Sequence, residues 1–195
     1  MDKGGPAIGA GVTVPPGRPQ RVLIIDDAIR WGGSIVSTAN LVRVLDRARF
    51  DPIFVTATNR KLIERHLREA APATRIVIAR PWLHYERLDR IAERTARLHS
   101  PILRTATEMG VALLRHLANL PYTVKLAFLM LRERIDLVQL NSGLGQDEAA
   151  LAAFVLRIPQ IAFLRGYSAM SRSQRYLFAP KIERFVTVSR YIARR

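Results

Sequence analysis

Six short runs of apolar, mostly β-branched or aliphatic residues recur along the chain, separated by longer stretches with helical spacing. This alternation is typical of β-α-β units built around a parallel sheet. Because most runs are almost continuously apolar, helices are expected to cover both faces of the sheet. The pattern therefore predicts an α/β fold, a Rossmann-like three-layer sandwich with a mostly parallel sheet. The predicted strands are Arg21–Asp26, Pro52–Ala57, Arg75–Ala79, Asp136–Asn141, Gln160–Arg165 and Arg184–Val188.

The length of 195 residues suits one sizeable hydrophobic core and is too short for two full α/β domains. Residues 1–20 are rich in glycine and proline and lack the apolar run of a signal peptide, so we interpret them as a flexible tail. Residues 21–195 then form a single domain. The chain has no cysteine, which excludes disulfides and thiolate metal sites, and no metal site is predicted.

The stretch 81–134 is too long for a simple crossover and is expected to hold two or three helices, with breaks before Pro101 and Pro121. Its central part carries an apolar stripe at helical spacing, which we interpret as a face packed on the sheet. The alternative is a face that meets a membrane or a lipid acceptor. The stripe consists of Ile102, Ala106, Met109, Leu113 and Leu117.

The formal net charge is +15, and residues 157–195 contain nine Lys or Arg against a single acidic residue. Such a field favours anionic partners, which include nucleic acid, anionic lipid and phosphate-bearing substrates. We expect peripheral association with anionic membranes, through a basic surface that includes Arg172, Arg175 and Lys181. Specific nucleic-acid binding is disfavoured, because no recognition motif is present and only 7% of the residues are aromatic.

Three predicted strands end in polar loops that contain glycine. The carboxyl ends of neighbouring parallel strands meet at one edge of a sheet, where ligands bind in open α/β folds. We therefore expect one cleft, with Ser34 capping the helix that follows the first strand. Arg165 is either an anion clamp or a salt-bridged structural arginine. The predicted cleft residues are Gly32, Gly33, Ser34, Asn141, Ser142, Arg165, Gly166 and Tyr167.

The pair Asp26-Asp27 at the end of the first strand is also found in bacterial receiver domains, whose acidic residues bind magnesium. The chain lacks the other parts of that site. The third predicted strand ends in Ala79-Arg80-Pro81 without an aspartate to be phosphorylated, and no lysine follows the fifth strand. The receiver interpretation is therefore rejected.

Four segments in the same order resemble the N-terminal half of the retaining glycosyltransferase family four. They are a first strand with a Gly-Gly helix start (VLIIDDAIRWGGSIVSTANLVRVL), a late strand (DLVQLNSG), a proline-preceded strand with a polar-glycine turn (IPQIAFLRGY), and a strand that ends in Val-Ser (RFVTVSRYIA). The resemblance extends over residues 21–195. Many relatives have a histidine where this chain has Arg165, so no catalytic residue is assigned.

The resemblance implies a GT-B architecture of two Rossmann-like domains, of which this chain is the acceptor-side half. In the family, the C-terminal half binds the nucleotide-sugar donor, so this half is expected to bind no cofactor and to be inactive alone. The implied partners are that missing half and a lipid-linked or saccharide acceptor. The implied location is the cytoplasm, peripherally on the inner face of the membrane. The alternatives are a non-catalytic interaction protein, and a basic module that binds nucleic acid or membranes.

Overall fold

The computed structural model describes residues 17–26, 32–57, 61–82, 100–165, 174–187 and 189, without the side chains of residues 61–63, 101 and 104. Six strands form one sheet in which every neighbouring pair is parallel. The strands are β1 (Gln20–Asp26), β2 (Phe50–Thr56), β3 (Arg75–Ile78), β4 (Leu137–Leu140), β5 (Gln160–Leu164) and β6 (Arg184–Thr187). Their order across the sheet is β3-β2-β1-β4-β5-β6.

Helices lie on both faces of the sheet. Because side chains alternate along a strand, Val22 and Ile24 of β1 belong to one core cluster, and Leu23 and Ile25 belong to the other. Each cluster also contains buried residues of two of the five helices. In chain order the helices are α1 (Gly33–Val44), α2 (Lys61–Ala70), α3 (Pro101–Ala118), α4 (Leu120–Arg132) and α5 (Asp147–Val155).

The first cluster packs β1 and β2 against α1 and α2, through residues such as Ile35 and Leu67. The second packs the opposite side of β1, β2 and β4 against α4 and α5, through residues such as Leu126 and Met130. The sequence prediction of a three-layer α/β sandwich with a parallel sheet is thus confirmed.

All six predicted strands are present, with ends that differ by no more than two residues. The expected coverage on both faces holds for the central strands, where β1 and β2 are almost wholly buried. The outer strands β3 and β6 each have a neighbouring strand on one side only, and they keep exposed side chains.

The helix after β1 is shorter than its sequence pattern predicts. The spacing of apolar residues predicts a helix over Ser34–Arg49, but α1 ends at Val44. The carboxylate of Asp46 accepts a hydrogen bond from the backbone N–H of Ala48 at 2.9 Å, and its carbonyl accepts from Arg49 and Phe50. These local bonds form a turn that leads directly into β2.

The apolar stripe of α3 is not packed on the sheet, so that prediction is wrong. Ile102 is 80% exposed and Met109, Leu113 and Leu117 are each at least 60% exposed. The opposite side of α3 faces the protein, where Arg115 and Asn119 bind acidic and backbone groups of the α5 end. Periodicity predicted a helix with one apolar face, but the direction of that face was set by these polar contacts.

Near the start of the described residues, an arginine binds an aspartate that lies far away in the sequence. Arg18 donates two hydrogen bonds to the carboxylate of Asp136, at 2.9 and 2.8 Å, and β1 starts at Gln20. Residues 1–16 of the predicted tail lie outside the described residues. Among the described helices, none combines the length and the apolar character that crossing a bilayer requires.

Candidate functional site

The strand order defines where a ligand can enter. The chain builds the sheet outward from β1 in one direction through β2 and β3, and then in the other through β4, β5 and β6. At such a reversal, the loops after the two central strands diverge and leave a crevice at their carboxyl ends. Here those ends are Asp26 of β1 and Asn141 after β4, which the strand register places side by side.

A buried polar pair lies where these two strands end, at the position expected for the base of a crevice. Asp26 and Asn141 both have no exposed surface. The Asn141 Nδ2 donates to the Asp26 Oδ2 at 2.5 Å, and the Ser142 hydroxyl donates to the other carboxylate oxygen at 3.3 Å. Because a buried carboxylate is costly without donors, these bonds explain how the charge of Asp26 is accommodated.

Arg165, directly after β5, extends this network toward the rim. Its Nη2 donates to the Asn141 Oδ1 at 2.6 Å and its Nε donates to the Asn141 carbonyl at 3.1 Å. The guanidinium also lies 5.4 Å from the centre of the Phe163 ring. Burial lowers the pKa of Arg165 from its usual value, and the charge of Asp26 opposes that shift.

These contacts show what holds Arg165. Within the described part of the chain its guanidinium is hydrogen-bonded to Asn141 and forms no ion pair with a carboxylate, and its role as an anion clamp stays a prediction. Asp26 acts on Arg165 through the side chain of Asn141. The arginine is held by two bonds on one edge of a planar group that carries five N–H donors. Donors remain for an anionic or hydroxylated ligand.

The start of α1 differs from the prediction in one respect. Gly32, in an extended conformation at φ −166°, is the N-cap, and Ser34 is the second residue of the helix rather than its cap. Glycine has no side chain with which to satisfy the first N–H groups of α1, and no side chain of the described residues caps this end of the helix. A Cβ added at Gly32 or Gly33 would meet no protein atom within 4 Å.

Several predicted residues are not part of this network. Gly166, Tyr167 and Arg172 lie outside the described residues. Arg175 is exposed on a short π-helical turn, and the Lys181 Nζ lies 4.7 Å from the centre of the Phe154 ring. The structure thus brings together Asn141, Ser142 and Arg165, and joins them to Asp26.

Sequence reasoning missed Asp26 as a site residue. We considered it only as part of a metal-binding acidic pair, and that interpretation failed for other reasons. The available signal was its position as the last residue of the first parallel strand, next to an asparagine that ends the strand expected beside it. Gln146 was also missed, and its Nε2 donates to the Ile25 carbonyl at 2.9 Å, one residue from Asp26.

A second polar cluster, also missed, joins α3 to the start of α5. The Arg115 Nε donates to Glu148 at 3.0 Å and its Nη1 lies 3.3 Å from Asp147. Asn119 donates to the same Glu148 oxygen at 2.7 Å. Both acidic side chains are about 5% exposed, so Arg115 provides the compensating charge that their burial requires.

Comparisons with solved structures identify the fold. MurG from Acinetobacter baumannii matches with a TM-score of 0.55 and 14% identity over 87% of this chain and 41% of MurG. HepE from Anabaena, solved in complex with UDP-glucose, matches with a TM-score of 0.51 and 14% identity over 85% of this chain and 35% of HepE. No known family model and no curated protein matches the sequence.

The chain therefore spans between about a third and two fifths of the length of these two structures. At this level of identity, the likeness concerns the backbone and not particular side chains. Together with the parallel sheet and its flanking helices, it shows that this chain has a Rossmann-like α/β fold that is shared with part of these two structures.

Proposed function

We propose that this chain is the acceptor-binding half of a glycosyltransferase that uses a nucleotide-sugar donor and retains the configuration of the transferred sugar. The retaining stereochemistry and the acceptor-side role follow the resemblance to glycosyltransferase family four. The observation that carries the proposal is the network Asp26–Asn141–Arg165 at the topological switch point. It provides an oriented cation in the crevice where folds of this type bind ligands.

The chemistry of this crevice suits an acceptor with phosphate or several hydroxyl groups. The guanidinium of Arg165 is fixed by Asn141, so little side-chain entropy is lost when its remaining N–H groups bind an oxyanion. The first N–H groups of α1 add donors with a favourable helix dipole. These groups bind and orient an acceptor, and no residue of the network is assigned the transfer step.

The donor is assigned to a second half. The chain spans about a third of HepE, whose structure was solved with UDP-glucose, and the glycine loop after β1 has neither a Walker-A nor a GxGxxG pattern. We accordingly expect the 195-residue chain to show no turnover with nucleotide-sugars. The DNA sequence that follows the codon for Arg195 tests whether a second, donor-binding half is encoded there. A continuing frame, or a neighbouring gene for a nucleotide-sugar-binding half, supports the proposal.

Ligand binding tests the crevice without requiring turnover. Short-chain isoprenyl phosphates and simple glycosides would be titrated into the purified chain, and binding followed by saturation-transfer NMR. Arg165→Met removes the oriented cation and should weaken binding of phosphate-bearing ligands by about tenfold or more, as for a charge-assisted hydrogen bond. Arg43→Met is the matched control, because Arg43 is exposed in the last turn of α1, at the end away from the crevice.

The proposal fails if binding is equally affected by Arg43→Met and Arg165→Met, because the contact would then depend on net charge alone. Sustained sugar transfer by the isolated chain, abolished by changes in the Gly32–Ser34 loop, would contradict the assignment of the donor to a second half. Binding of UDP at the crevice, lost in the Arg165→Met variant, would have the same consequence.

A further inference from the structure

The exposed side chains among the described residues of α3 are all apolar. Every exposed residue of this helix whose side chain is described is aliphatic, methionine or glycine, and none carries a charge or a hydrogen-bonding side chain. These residues are Ile102, Leu103, Ala106, Met109, Gly110, Leu113, Leu114 and Leu117. Large contiguous apolar patches of this kind are rare on monomeric proteins and mark interaction sites.

The same surface continues onto α4. The spacing of three or four residues that runs from Ile102 to Leu117 continues through Leu120, Val124, Phe128 and Leu131 without interruption. The ten large apolar side chains of the two helices that are more than half exposed are called the outer face. They are Ile102, Leu103, Met109, Leu113, Leu114, Leu117, Leu120, Val124, Phe128 and Leu131.

The inner side of α3 is polar where it meets α5, so the usual arrangement of a surface helix is reversed. Arg115 binds Glu148 and the carbonyl of Gly145, at 3.0 and 2.9 Å, and Asn119 binds Glu148. The buried cluster fixes the rotation of α3 about its axis. Turning the outer face inward would remove Arg115 from two buried carboxylates, which is strongly unfavourable.

The exposed charges on α4 are positive, and the single acidic side chain of the two helices, Glu108 of α3, is only partly exposed. On α4 the exposed charged side chains are Lys125 and Arg132, which flank Val124, Phe128 and Leu131. The chain as a whole carries a formal charge of +15. A surface of this kind attracts anionic headgroups while its apolar side chains enter the acyl region.

We propose that the outer face is a membrane-docking surface, which lies in the interface of a bilayer that contains anionic phospholipid. A protein partner of the usual kind is less suited to α3, because specific interfaces carry about one hydrogen bond per 100–200 Å². Among the described residues of this helix, the exposed side chains offer no donor or acceptor. Acyl chains require none. The proposal goes beyond sugar transfer, and vesicle binding can be measured independently of the crevice.

Because the chain has no cysteine, single labels can be introduced without other changes. Leu113→Cys and Val44→Cys would each be labelled with an environment-sensitive nitrobenzoxadiazole group. Val44 is a matched control, since it is 73% exposed and lies at the end of α1. With vesicles of phosphatidylcholine and phosphatidylglycerol, the label at position 113 should shift to the blue and become shielded from aqueous quenchers. The label at position 44 should not change.

Partition measured by vesicle sedimentation tests the energetics. Leu113→Glu should lower the partition coefficient by about tenfold, because one buried leucine is lost from the apolar contact. Val44→Glu changes the net charge by the same amount, so any decrease that it causes in the partition coefficient measures the effect of charge alone. That decrease should be smaller than the one caused by Leu113→Glu. Lys125→Ala and Arg132→Ala should each lower binding to anionic vesicles by about fivefold, with a smaller effect at high salt.

Three results would overturn the proposal. The first is an unchanged label at position 113 in the presence of anionic vesicles, and the second is equal binding to vesicles of phosphatidylcholine alone. The third is a dimer in sedimentation equilibrium that Leu113→Glu dissociates, while vesicles bind neither the wild-type chain nor the Leu113→Glu variant. That last result would assign the outer face to a second copy of the chain.

Discussion

The apolar residues at the centre of the sheet and those of helix α3 are placed in opposite ways. In β1, four consecutive apolar residues, Val22 to Ile25, are almost completely buried between two helical layers, and the polar groups appear only where the strand ends. At the end of α3, Arg115 and the following Asn119 face the protein, whereas the leucines of the helix face outward. The difference shows that an apolar pattern identifies a face, whereas the partners of the opposite face decide where it points.

The largest expected effect comes from the cluster that holds α3. Arg115→Met removes a cation that pairs with the buried Asp147 and Glu148, which should reduce the free energy of unfolding by about 3–5 kcal/mol. Urea denaturation followed by circular dichroism measures this loss. The double variant Arg115→Met with Glu148→Gln should recover part of it. A loss below about 1 kcal/mol would show that the cluster does not anchor α3.

Two leucines of neighbouring helices sharpen the comparison. Leu126 of α4 has no exposed surface, whereas Leu113 of α3 is 61% exposed. Leu126→Ala should cost about 2–5 kcal/mol, since it removes buried methyl groups and leaves a cavity. Leu113→Ala should change stability by no more than about 0.5 kcal/mol. Chemical denaturation of both variants checks this, and equal losses would mean that α3 is packed by its leucines.

A smaller effect is expected from pH. Burial lowers the pKa of His116, Glu148 opposes the shift, and Arg115 adds to it. The buried Nδ1 has no hydrogen-bond partner, so a proton placed there would be poorly accommodated. Since the folded pKa is depressed, the stabilisation is complete above the unfolded value of about 6.5 and is lost as the pH falls toward the folded pKa.

The unfolding free energy of the wild type should therefore decrease as the pH is lowered below about 6.5, in addition to the effect of carboxylate protonation. The His116→Gln variant should lack this component. Denaturation at a series of pH values, with the two proteins compared at each, isolates it. Parallel curves for both proteins would assign the pH dependence to other groups.

The smallest expected change in stability is at the crevice. Gly33→Ala adds a methyl group to open space at the first position of α1, so the free energy of unfolding should change by less than about 1 kcal/mol, and in the favourable direction. Thermal unfolding measures this. Ligand binding should nevertheless weaken if the glycine permits close approach. A variant that is less stable yet binds the ligand normally would show that Gly33 is not a ligand-binding residue.

Much of the fold could be predicted from the sequence, because buried parallel strands have a strong local pattern. All six strands were found within two residues of their ends. The direction of the α3 stripe could not, since it depends on Arg115 meeting Glu148, thirty-three residues away. For the site, the meeting of Asn141 and Arg165 followed from strand neighbourhood. The role of Asp26 required the register between β1 and β4, which no local pattern contains.

The first residues around α5 connect the two regions. Gln146 donates to the carbonyl of Ile25 at the base of the crevice, and its neighbour Gly145 accepts from Arg115 of α3 at 2.9 Å. Two hydrogen bonds on adjacent residues thus join the outer helix to the strand that carries Asp26. A displacement of α3 would strain the bond beside the crevice, and a ligand that stiffens the crevice would restrain α3. By thermodynamic linkage any such influence is reciprocal, so binding at either surface would change the affinity of the other surface by the same factor.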